Sequence, residues 1–287
     1  MQKHISILLF VKNTGFKNSL YLSYSFFILT LIGIGYSIST LNLLPFDPED
    51  LDFDAILSPP LSNGHLLGTD DLGRDILSRL IVGIDAYLLP ALLALSIALV
   101  FGIFIAIATL FWRRKISHAL SVINDALLVM PRLVLLLLII AIFEPDIIYI
   151  MIIIGISNIP TLTQLLSGKI DLLKERSFID SSIAAGLSYP TIIFKHVLWC
   201  NCRVILFSQS AFIMGEAILM EASLSYLGFG VQEPTPSWGN MVQSGSNYLL
   251  QGELWPSTIP AIAIMLVISA FYLLSYTINH IMEPSAK

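Results

Sequence analysis

Long apolar runs separated by short polar breaks dominate this chain, and their lengths set the first expectation. Crossing a bilayer takes roughly 20 apolar residues in a helix. Six stretches reach that length: Leu20 to Leu44, Tyr87 to Trp112, Ala119 to Phe143, Ile147 to Leu166, Val204 to about Ser223 and Thr258 to about Ile281. The pattern predicts an all-α, polytopic membrane protein with about six transmembrane helices. The breaks carry their own signals. Pro45, Pro48, Pro59, Pro60 and Gly64 exclude regular structure until Asp75, after which Ile76, Leu77, Leu80, Ile81 and Ile84 share one helical face. That face fits either a short amphipathic helix at the membrane interface or a helix packed on its own bundle. Between the fifth and sixth spans, Gly228, Gly230, Pro234, Pro236 and Gly239 stand among Trp238, Tyr248 and Trp255. Turn formers with interfacial aromatics read as an ordered loop at the outer surface: part of a gate, a receptor contact or an anchored connector.

Between Gly168 and Arg203 the apolar pattern gives way to FIDSSIAAGLSYPTIIFKH, which reads as two short helices joined at Gly186-Leu187-Ser188. Gly186 can take the left-handed conformation that ends one helix, and Ser188 can cap the next just ahead of Pro190. A compact hairpin on a membrane protein has the form of a docking knob for a soluble partner. The natural division is residues 1–86, a first span with a long outer loop, and residues 87–287, a five-helix core carrying the hairpin at 169–202.

Composition agrees with the bilayer. Hydrophobic residues make up 56% of the 287 positions and charged residues only 12%, where soluble domains carry about a quarter charged; the mean hydropathy is +0.82. Twelve of the 15 Lys and Arg fall before the first span, in the second and fourth loops or at the end of the chain. Arg74 and Arg79 lie on the opposite side, and Arg132 lies within the third span. The positive-inside rule then places both termini and the hairpin in the cytoplasm. The opposing loop from Pro45 to Ala86 holds nine carboxylates, and the net charge of −5 argues against nucleic acid. No small-residue cleavage site follows the apolar run Ile5 to Val11, so the first segment is expected to be retained. Cys200 and Cys202 are too close in sequence for an ordinary disulfide. With His196 they lack a fourth metal ligand, so no metal site is expected.

No Walker loop, nucleophile elbow or zinc-binding His-Glu pattern occurs, so no catalytic residue is expected and energy must come from a partner. The ionisable residues inside spans are candidates for a translocation path, because each costs roughly 2.5–3.5 kcal/mol at a helix centre unless paired or wet. They are Asp125, Arg132, Glu216 and Glu221. Asp125 and Arg132 share a face but are separated by about 10 Å of rise, and Glu216 and Glu221 are about 140° apart around their helix.

Several runs resemble one family in order along the chain. His65-Leu66-Leu67-Gly68-Thr69-Asp70-Asp71-Leu72-Gly73-Arg74-Asp75-Ile76-Leu77-Ser78-Arg79 is similar to the signature before the second span in permease subunits of bacterial dipeptide and oligopeptide (peptide/nickel) ABC importers. Asp125 with Pro131 and the leucines after it, the run Glu221 to Gly230, and Pro234 to Met241 resemble the same family from about residue 20 to the end. The resemblance implies the type I ABC importer permease fold in a bacterial cytoplasmic (inner) membrane. It also implies a second related permease, two ATPase subunits that bind ATP and Mg, and an extracytoplasmic solute-binding protein. The hairpin then corresponds to an ATPase-coupling element formed by Asp180, Ser181, Ser182, Gly186, Leu187, Ser188, Tyr189 and His196. The chain departs from the family pattern at Trp199, where proline is usual, at Arg132, where a small residue follows Pro131, and at Ser275 to His280. An ion-coupled secondary transporter and a membrane scaffold for a soluble enzyme are the alternative readings of the residues.

Overall fold

The computed structural model describes residues 2–111, 131–142, 146–175 and 178–282. Asp125 and most of the expected third span lie outside the described residues. The principal α-helices among the described residues are α1 Gln2–Thr40, α2 Ile76–Gly83, α3 Leu88–Phe111, α4 Arg132–Ile140, α5 Ile147–Glu175, α6 Phe178–Ala184, α7 Arg203–Tyr226, α8 Trp238–Ser246 and α9 Trp255–Met282. Among the described residues five helical segments are long and apolar enough to cross a membrane: Lys17–Thr40, Ile76–Ala108, Ile147–Leu173, Tyr189–Tyr226 and Trp255–Met282. Each overlaps an expected span, and α4 lies within the remaining one. The fold is all-α, with no named strand among the described residues and only the isolated bridges Ser62–His65 and Thr69–Asp75.

Helix α3 packs along α5, α9 along α7, and α1 against α9. Between apolar helices in lipid, close packing replaces the hydrophobic drive, so small residues collect at the seams. Ala91, Ala94, Ala98 and Ala106 of α3 are fully buried, and a Cβ at Gly155 of α5 would come within 2.8 Å of the Ala94 carbonyl oxygen. Helix α1 is tied to α9 by Tyr24, whose hydroxyl lies 2.8 Å from that of Ser269.

Two apolar cores result. One, around Tyr87, Ile150, Met214 and Trp238, lies toward the acidic loop. The other joins the far halves of α3 and α5 to the hairpin through Leu162, Leu166, Ile170, Ile192 and Val197.

Two boundaries differ from the sequence expectation. Helix α5 does not stop at Leu166 but continues through Gly168 to Glu175, because Leu166, Ile170 and Leu173 keep their helical spacing and bury against the second core. The second arm of the hairpin is likewise not a separate short helix. A turn at Tyr189–Thr191 runs through a π-helical stretch, Ile192–Cys202, directly into α7.

Candidate functional site

Three polar or exposed places stand out from the apolar framework. The first is the hairpin. Gly186 has φ +80°, the left-handed conformation that only glycine adopts without strain. Its N–H donates to the Ile183 carbonyl (2.9 Å) and the Leu187 N–H to that of Ser182 (3.2 Å), the bond pair that closes a helix C-terminus. The expected turn is present. Ser188 then adopts the extended conformation of a helix-entry residue, and its carbonyl accepts from the Ile192 N–H (3.0 Å). Its side chain does not cap, contrary to the sequence reading. The hydroxyl pairs instead with that of Thr191 at 2.9 Å, a local partner that competes for it.

The other hairpin residues divide between an inner and an outer face. Asp180, Ser181 and Ser182 lie on α6, with Ser182 buried. His196 lies in the π-helical stretch, and its carbonyl accepts from the Asn201 side chain at 2.7 Å. Ile192 and Val197 are buried, whereas Ile183, Leu187, Tyr189 and Phe194 are exposed at 41%, 39%, 56% and 67%. The short helix α6 and the segment that runs on into α7 thus meet at a hydrogen-bonded turn rimmed by exposed apolar side chains.

The second place lies within the helices. Arg132, the first residue of α4, donates from Nη1 to the Glu216 carboxylate on α7 and to Asn158 Oδ1 on α5 (3.3 Å). Its Nη2 donates to Thr161 Oγ1 at 2.8 Å. Two charges separated by 84 positions in sequence are therefore neutralised by each other, and three helices are tied by one guanidinium. Glu221 takes a different direction, as the angle around α7 requires. It is fully buried, accepts from the Ser225 hydroxyl and lies beside Tyr87 under the loop at 227–237. Arg132 and Glu216 come together; Glu221 joins a separate network.

The third place is at the acidic-loop end and was only partly visible in the sequence. Arg74 Nε donates to Asp70 Oδ2 (2.7 Å) and Arg74 Nη1 to Glu233 Oε2 (2.7 Å). Arg79 Nη2 donates to Glu233 Oε1 (3.0 Å), and Arg79 Nη1 to the Pro48 carbonyl (3.2 Å). Burial opposes the charge of Arg74, but the Asp70 and Glu233 carboxylates outweigh it and hold its pKa above the usual value. Asp75 caps α2 by accepting from the Ser78 N–H (2.8 Å), and its other oxygen lies 2.9 Å from His65 Nδ1. Helix α2 is packed on its own bundle, with Ile76 fully buried. Trp238 corrects the expectation of a surface aromatic. It is buried, its ring centroid lies 4.9 Å from that of Tyr87, and its Nε1–H donates to the Leu80 carbonyl at 2.9 Å. An indole with a partner for its N–H is as well satisfied inside as at an interface.

Sequence reasoning missed Glu233. It sits in a segment without Lys or Arg, and its partners precede it by 154 and 159 positions. The available signal was two arginines on the acidic-loop side and a carboxylate standing immediately before the run Pro234 to Met241.

Comparison with known proteins places this arrangement among membrane transport components. Residues 98–287 match the family model described as binding-protein-dependent transport system inner membrane component. A di/tripeptide transport system permease protein of Pseudomonas aeruginosa is 34% identical over 85% of this chain and 81% of its own length. A probable D,D-dipeptide transport system permease protein of Escherichia coli is 32% identical over 85% and 81%. A glutathione transport system permease protein of Pectobacterium atrosepticum is 29% identical over 91% and 85%.

Proposed function

This chain belongs to the binding-protein-dependent transport system inner membrane components, and on that premise we propose that it forms half of a translocation path for peptides or related small solutes. It is a non-catalytic, multi-pass permease subunit of an ABC importer. The other half of the path is a second related permease. Two ATPase subunits carry ATP and Mg, and an extracytoplasmic solute-binding protein delivers the solute. The peptide class is supported by the names of the relatives, and the inward orientation of the hairpin by the distribution of Lys and Arg.

The observation that carries the coupling role is the hairpin: a fixed left-handed turn with Leu187 and Tyr189 exposed beside it. An apolar rim on a rigid turn suits a groove in a soluble subunit, where a few buried aromatic and aliphatic anchors dominate binding. Because Tyr189 leads without a break into α7, displacement of the hairpin pulls on the helix that carries Glu216. ATP binding closes the ATPase pair, the hairpins follow, and the helices rock as rigid bodies between inward-open and outward-open states. Hydrolysis resets them.

The test is reconstitution with the second permease, the ATPases and the receptor in lipid vesicles. Solute-stimulated ATP hydrolysis with accumulation of peptide supports the reading. Proton-driven flux without nucleotide, or no flux with a bound soluble enzyme, contradicts it. In a variant with Cys200 and Cys202 replaced by serine, Leu61→Cys should react with an impermeant thiol reagent from outside and Leu187→Cys only after the membrane is opened. Reversed labelling overturns the orientation.

A further inference from the structure

An arginine within an apolar bundle needs its charge countered and its donors answered or left facing water. Nη1 of Arg132 uses its N–H groups on Glu216 and Asn158, and Nη2 uses one on Thr161. Nε has no partner among the described residues, and it is not among the enclosed unpartnered atoms, whereas Glu216 Oε2 is. The Arg132 side chain is 24% exposed and that of Glu216 only 9%. Among the described residues the pair therefore leaves one edge unoccupied, that of the guanidinium, while its carboxylate is closed away.

We propose that the open Nε edge of Arg132 receives a carboxylate of the transported solute, so that this chain adds its own selection for a free carboxylate to that of the receptor. The inference rests on the reading that the chain lines a path for peptides or related solutes. A planar guanidinium edge matches a carboxylate in geometry as well as charge, which a lysine ammonium does not. Glu216 already occupies the Nη1 side and shows that the group binds carboxylate in this setting. Glu216 also has a second effect. With the charge of Arg132 countered in the empty state, an arriving carboxylate is held weakly enough to leave, as passage through a path requires. Asn158 and Thr161, on either side of Pro160 in α5, fix the guanidinium plane.

The experiment uses the full importer in lipid vesicles with trialanine and its C-terminal amide as probes. Receptor occupancy is measured separately for each probe, so that the receptor's own preference divides out. Native complex should import the free acid about tenfold faster per occupied receptor, the scale of one charge-assisted contact. The double variant Arg132→Leu with Glu216→Gln, neutral like the native pair, should import both probes at rates within about twofold of each other. Arg132→Lys keeps the charge but loses the planar edge, and should lower the ratio by about threefold or more. If the double variant does not assemble, the lysine variant decides. An unchanged ratio in either variant, or no preference in native complex, overturns the inference while the peptide reading stands. Import of neither probe by native complex contradicts the peptide reading, and this inference falls with it.

Discussion

At the acidic-loop end Arg74 and Arg79 are 5% and 1% exposed and share Glu233, and Trp238 is buried against Tyr87. At the hairpin end, by contrast, Tyr189 and Phe194 stand more than half exposed around a turn closed by its own backbone hydrogen bonds. Both ends are built from signature residues, yet one encloses its charges and aromatics and the other leaves its aromatics exposed. A side chain whose partners are internal acts on stability. One held in a fixed position without burial is available to another molecule. The same distinction separates Glu221, enclosed with Ser225, from Arg132, which is partly exposed and whose Nε has no partner among the described residues.

Substitutions at the two ends should therefore fail in different ways. The largest loss of stability is expected for Trp238→Ala, which removes a buried ring and its bond to Leu80; truncations of this kind cost about 3–5 kcal/mol. Thermal unfolding of the detergent-solubilised chain measures it. Next comes Glu233→Ala, which leaves two buried guanidiniums short of a partner. Breaking a buried pair costs about 3–5 kcal/mol, and since the Glu233 side chain is 43% exposed, water offsets part of it, leaving about 2–3 kcal/mol. Glu233→Gln, which keeps the acceptor but not the charge, should fall between native and alanine. A melting temperature unchanged in Glu233→Ala would mean that the loop-end pairs do not hold the first signature to the loop at 227–237. Gly186→Val should have the smallest effect on melting. A Cβ there meets nothing within 4 Å, so only the left-handed backbone is strained, by about 1–3 kcal/mol confined to the turn. Its effect should appear as weakened ATPase binding.

Much of this arrangement was legible in the sequence, for physical reasons that also mark where legibility ended. Apolar runs long enough to span a bilayer announce themselves, and Gly186 between two short helical patterns announces a left-handed turn. Arg132 and Glu216 were each visible as costly charges in apolar helices. Their pairing was not, since it depends on how α4 is seated against α7. The sequence reads α8 as part of an ordered loop because Gly228, Gly230, Pro234, Pro236 and Gly239 are turn formers, and within the helix Gly239 and Gly245 lower helix propensity. Both are needed there: a Cβ at Gly239 would lie 2.4 Å from the Ala222 carbonyl oxygen and one at Gly245 2.5 Å from the Pro256 carbonyl carbon. The helix still starts cleanly, from a capping box in which Ser237 and Asn240 bond each other's backbone, with asparagine in place of the usual Glu or Gln. Local signals were readable one segment at a time, and contacts between distant segments were not.

The central claim, that the hairpin is the coupling element, is tested most directly by Tyr189→Asp in the assembled importer. The substitution places a charge on the exposed rim without touching either core, so the variant should insert and melt as the native chain does. It should lose copurifying ATPase and solute-stimulated hydrolysis together, because an unpaired carboxylate in an apolar contact is costly. Full retention of the ATPase and of uptake by a correctly inserted Tyr189→Asp variant would contradict the account.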